Sequence, residues 1–73
     1  MPTIFLYWRE GRSQAARDKL ANALAEAVAS VPEAQAAKDE VDVFFFEVPV
    51  GFMYHGGAAL PALPPRADAR EGG

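Results

Sequence analysis

The chain contains no cysteine, which excludes disulfide staples and thiolate metal centres. It has a single histidine, His55, too few for a histidine-based metal site. Lysine and arginine number 7 against 10 acidic residues, for a net charge of −3. The cations are scattered, so the basic footprint of a nucleic-acid binder is missing. No apolar run reaches the ~20 residues that cross a bilayer as a helix, and the N-terminal residues lack the pattern of a secretory signal. The expectation is a soluble cytoplasmic protein with neither nucleic acid nor membrane as partner.

What is abundant is apolar. Of 73 residues, 51% are hydrophobic and 11% aromatic. Residues 1–73 form one small domain, and a chain this short seldom builds a sufficient core by itself. Its apolar surface exceeds what it can hide, so oligomerisation is expected.

Thr3–Trp8 reads as a strand rich in β-branched and aromatic residues. Ile4, Leu6 and Trp8 fall on one face and Thr3, Phe5 and Tyr7 on the other. Both faces are largely apolar and call for cover on both sides. Arg9-Glu10-Gly11-Arg12 is a polar break, and Ser13 has the character of a helix N-cap. Ala16, Leu20, Ala23, Leu24, Ala27, Val28 and Val31 then recur at helical spacing, with Arg17, Asp18, Asn22 and Glu26 opposite. The helix is placed at Ser13–Val31, ending before Pro32. A short turn starting at Pro32 precedes a second strand, Val41–Val48. Pro49 and Gly51 end it. Phe52-Met53-Tyr54 is a short edge strand, Gly56-Gly57 a turn, and residues 58–73 an extended arm expected to lie over a neighbouring subunit. The strand–helix–strand order over residues 2–57 predicts a β-α-β unit with parallel strands, in the α/β class.

Pro2 is the residue with the most chemical potential. Initiator methionine before a small residue is usually trimmed, which would leave a proline with a free secondary amine. Such an amine titrates near pH ~8, and an apolar surround lowers that value by disfavouring the charged form. A neutral amine can serve as general base or nucleophile. The plainer reading is a strand-opening proline.

Pro2 directly after Met1, the run Glu10-Gly11-Arg12-Ser13 opening a helix, a second parallel strand and the pair Gly56-Gly57 together resemble the tautomerase superfamily, in particular its 4-oxalocrotonate tautomerase group. The resemblance implies a β-α-β subunit in a hexamer built as a trimer of dimers, with no metal or organic cofactor. It implies isomerisation of a small unsaturated 2-hydroxy or 2-keto carboxylate, with Pro2 as the catalytic base. Arg9 with Arg12, and Phe52-Met53-Tyr54-His55-Gly56 followed by Leu60-Pro61, further resemble the α-chain family of the heterohexameric trans-3-chloroacrylic acid dehalogenases. There the two arginines hold the substrate carboxylate and a partner chain brings the proline. Two positions depart from these patterns. Tyr54 stands where that α chain has a water-activating glutamate, and Asp42 stands where tautomerases often carry a substrate-binding arginine.

Spacing adds a constraint of its own. Residues 2–9 in a strand span roughly 23 Å at ~3.3 Å per residue, beyond the reach of an arginine side chain. Unless the strand folds back, Pro2 therefore cannot meet Arg9 and Arg12 of its own chain. Two first strands paired antiparallel across subunits would bring them together in a composite site. Arginine suits carboxylate binding through its planar fork. As alternatives, Arg9 and Arg12 are solvated loop residues with Arg12 pairing Glu10 or Asp18, Tyr54 is an interface residue rather than a substrate hydrogen-bond donor, and Phe52, Met53 and Trp8 are core or interface rather than the walls of an apolar pocket. His55 is read as structural. The assembly expected is a homohexamer or a heterohexamer with a related small chain; the rival to catalysis is a non-enzymatic assembly protein of the same fold.

Overall fold

A computed structural model describes residues 1–64. It shows a small mixed α/β unit of the β-α-β kind. Strand β1 (Thr3–Arg9) is followed by helix α1 (Gln14–Ala29), two single-turn 3-10 helices (Pro32–Ala34 and Lys38–Glu40) and strand β2 (Asp42–Val48). A hairpin of β3 (Tyr54–His55) and β4 (Ala58–Ala59) closes the described chain. β1 and β2 pair in parallel, from Thr3 opposite Asp42 to Arg9 opposite Val48. β3 and β4 pair antiparallel around Gly56 and Gly57, both at positive φ, which glycine tolerates without a Cβ clash.

The alternation along β1 and β2 decides what faces what. Ile4, Leu6 and Trp8 are partly covered on the helix side, with Val43, Phe45 and Glu47 beside them. Thr3, Phe5, Tyr7, Asp42, Phe44 and Phe46 lie on the other side and are exposed. One sheet face therefore has its helix and the other has no cover among the described residues.

The helix starts where Ser13, extended at φ −78 and ψ 163, accepts a bond from the Ala16 amide. It stops at Ala29 rather than Val31. Val31 is extended at φ −103 and ψ 104, as expected of a residue before proline. The Ser13 cap satisfies one of the four unpartnered amides of the first turn. Ser13→Ala is expected to lower stability by about 1 kcal/mol, read as a shift in the denaturation midpoint at unchanged slope.

The buried stripe of α1 differs in part from its expected position. Leu20, Leu24 and Val28 face inward, but Ala23 and Ala27 are exposed while Ala21 and Ala25 turn toward the sheet. Val31 is exposed too. Alanine carries too little hydrophobicity to fix a helix's rotation, and the larger side chains set it instead. Among the described residues Ala25 alone is buried, at 7% exposure. So thin a core offsets little of the ~1–2 kcal/mol per residue that backbone ordering costs.

The segment around Phe52 also departs from expectation. Phe52 and Met53 belong to a turn and its exit, where the Phe52 amide bonds Pro49 O at 3.0 Å. The short strand is Tyr54–His55, and Ala58–Ala59 is its hairpin partner rather than the start of an arm. Beyond it the chain returns to its own β1–α1 corner, where Leu63 packs against Gly11 and Pro61 O accepts a bond from Arg9 Nη1 at 2.9 Å. The rest of the expected arm, residues 65–73, lies outside the described residues.

Candidate active site

Arg9 and Arg12 both lie at the carboxyl end of the parallel sheet, the end at which open α/β sheets bind ligands. β1 carries Arg9 as its last residue. The chain then reverses through Gly11 at φ +122. That conformation is strained for any residue with a Cβ, and the turn brings Arg12 back over the strand just left. The Arg12 guanidinium carbon sits 4.1 Å from the centre of the Trp8 ring, a cation–π contact. Its Nη1 donates to Arg9 O at 2.8 Å. The sequence alternative of an ion pair with Glu10 or Asp18 gives way to these partners. The Glu10 carboxylate instead accepts the Val50 amide at 2.8 Å, and that of Asp18 accepts from Gln14 at 2.9 Å.

Beneath Arg12 lies a network not anticipated from the sequence. Glu47 Oε2 accepts from Trp8 Nε1 at 3.0 Å and from Arg17 Nη1 at 2.6 Å. Arg17 Nη1 also donates to Arg12 O at 3.1 Å, and its Nη2 to Gln14 Oε1 at 3.1 Å. Arg17, assigned by periodicity to the solvent face, thus turns toward the sheet. The signal lay in the strand register: parallel pairing sets Glu47 opposite Trp8, leaving an acid on the helix side that needs a cation from the first turns of α1.

Pro2 lies at the other end. It is half-buried, and its carbonyl accepts the Asp42 amide at 3.0 Å. β1 is one unbroken strand between Pro2 and the arginines, so a single chain does not bring them together. Asp42, opposite Thr3, shares the proline end. Phe52 and Tyr54 follow the turn out of β2, whose last residue Val48 stands opposite Arg9. Both are exposed, at 74% and 64%. Met53 is partly covered and its carbonyl accepts the Leu60 amide at 2.8 Å.

The sheet face away from α1 carries a ring cluster. Phe5 stacks on Phe44 at 5.5 Å and Tyr7 on Phe46 at 4.7 Å, with Phe5 and Phe46 5.8 Å apart between centroids. These rings are nonetheless 40–68% exposed. Among the described residues no three His, Cys, Asp or Glu side chains gather as metal ligands, and no helix is long and apolar enough to cross a membrane. No protein-family model matches this chain, and no curated protein matches it significantly.

Proposed function

We propose that the chain is a subunit of a cofactor-independent isomerase of the tautomerase type, acting on small unsaturated 2-hydroxy or 2-keto carboxylates. One observation carries the reading: β1 is preceded directly by Pro2 and ends at Arg9, beside Arg12 stacked on the Trp8 ring. The two halves of the required chemistry stand at opposite ends of one strand. Antiparallel association of two such strands sets Pro2 of one subunit against Arg9 and Arg12 of another. The exposed rings Phe5, Tyr7, Phe44 and Phe46 supply the apolar surface for that association, and three such dimers would make up a hexamer.

With Met1 removed, the neutral Pro2 amine takes the proton from the dienol hydroxyl of the substrate. The O–H electrons form the ketone, the double bonds shift along the chain, and the far carbon receives the proton from the prolinium N–H. Arg12 and Arg9 hold the carboxylate through charge-assisted bonds and stabilise the negative charge spread over the dienolate. Their positive charge also favours the neutral amine. Phe52 and Tyr54 border this end, Phe52 excluding water and Tyr54 donating to substrate.

A second reading is favoured by Asp42. A carboxylate at the proline end stabilises a charged amine and repels an anionic substrate. In that case this chain contributes Arg9, Arg12 and Tyr54 to the proline of a related partner chain, in a heterohexamer.

Subunit mixing tests the proposal. Pro2→Ala and Arg12→Ala chains are each expected to be nearly inactive on 2-hydroxymuconate or phenylenolpyruvate. Unfolded together and refolded as mixed particles, they regain about one quarter of the parental activity, the share of sites with both groups intact after random assembly. No recovery above the separate variants rules out a composite site. Intact mass separates the two readings. Loss of Met1 permits catalysis by this chain's own Pro2. Retention makes that nitrogen an amide, leaving the arginine-supplying role or a non-enzymatic assembly protein.

A further inference from the structure

We propose that Glu47 is the residue that positions Arg12 for its ligand; the inference rests on the isomerase reading for its catalytic consequence but not for its geometry. A single carboxylate oxygen, Glu47 Oε2, holds both supports of Arg12. It fixes the Trp8 ring through Nε1 at 3.0 Å, and that ring lies under the Arg12 guanidinium at 4.1 Å. It fixes Arg17 at 2.6 Å, and Arg17 ties the Arg12 backbone through its carbonyl at 3.1 Å. The Glu47 and Arg17 side chains are only 27% and 24% exposed, so solvent screens the pair less than a surface ion pair.

The consequence is directional. A flexible arginine loses rotamer freedom on binding an anion, whereas one already stacked on a ring and tied at its backbone has lost much of it beforehand. Arg12 spends one donor, on Nη1, to Arg9 O. A guanidinium has five N–H donors, so a planar edge remains for two parallel bonds to a carboxylate. Glu47 touches neither the substrate nor the reacting atoms. It acts by holding that edge outward, and its removal should weaken carboxylate binding without changing proton transfer.

The chain has one tryptophan, so Trp8 fluorescence reports this site alone. The test is a double-mutant cycle on Trp8 emission and acrylamide quenching in the assembled protein, using the parent, Glu47→Gln, Arg12→Met and the pair. Glutamine still accepts from Trp8 but no longer binds the Arg17 cation as an ion pair. Arg12→Met is expected to change quenching strongly in the parent and little in the Glu47→Gln background. Glu47→Gln is also expected to raise KM about tenfold while kcat stays within about twofold, the pattern of lost uniform binding. Arg17→Met, which severs the same link from the helix side, should reproduce both results and carries the test if Glu47→Gln does not fold. Equal Arg12→Met effects in both backgrounds overturn the inference, as does a fall in kcat at unchanged KM. The fluorescence cycle is independent of turnover. An inactive parent therefore defeats the isomerase reading alone, and an additive cycle defeats the positioning role even in an active enzyme.

Discussion

Phe5→Asp is expected to convert assembled particles into single chains that unfold far more readily than the parent. Phe5 is the centre of the exposed cluster, with Phe44 at 5.5 Å and Phe46 at 5.8 Å. In the assembly proposed, this face is buried against another subunit. Substitution there forfeits about 1.5–3 kcal/mol of ring transfer per chain. It also forces a carboxylate into an apolar contact, which costs several kcal/mol more unless the assembly opens. Neither loss arises if the face stays in water, where exposed substitutions usually remain within ±0.5 kcal/mol. Sedimentation velocity gives the mass and chemical denaturation the stability. A variant that keeps the parental mass and midpoint would show that this face is not the interface. Activity is expected to vanish with the assembly, since a lone chain holds Pro2 and its arginines at opposite ends of β1.

Replacing Pro2 by alanine is expected to lower kcat by about 10²–10⁴-fold, the usual contribution of a positioned general base, equivalent to roughly 3–5 kcal/mol of barrier. Alanine is small enough for Met1 removal to continue and still offers an amine, so the change is in the base rather than in the presence of a terminus. KM should move little, because the proposed site assigns carboxylate binding to Arg9 and Arg12. In the parent, kcat/KM should rise with pH through the amine's titration, because the neutral form is the base. Steady-state kinetics across pH on both chains checks all three points. Parental kcat in the variant would remove Pro2 from the mechanism.

Much of the fold was legible because its signals are local. Alternation fixed the faces of Thr3–Trp8, Ser13 marked the helix start, and Pro32 and Pro49 marked two ends. The parallel register aligns Ile4 with Val43 and Leu6 with Phe45, as two strands joined by a helical crossover require. The helix's rotation was less legible because alanine occupies nearly every face of it, so Ala23 and Ala27 read like Ala21 and Ala25. The hairpin at Gly56-Gly57 was visible only as a turn, since strands as short as Tyr54–His55 and Ala58–Ala59 carry no period of their own.

The site divided along the same line. The placement of Arg9 and Arg12 at one end of the sheet followed from the strand ending at one and the helix starting just after the other. The bond from Trp8 to Glu47 did not, because it joins residues brought together only by pairing of the two strands. Arg17 was hidden for a different reason. Its long side chain is polar by composition, yet it reaches past the helix edge to an acid on the sheet, and helical periodicity assigns the position of a Cβ but not the direction of a guanidinium.

The bond between the Asp42 amide and the Pro2 carbonyl has a consequence for maturation. A proline contributes no amide hydrogen to a ladder, and its oxygen is already engaged. Excision of Met1, which the proposed mechanism requires, therefore leaves the bond from the Asp42 amide to Pro2 O in place. In that mechanism, exposure of the amine is a chemical event separable in time from folding.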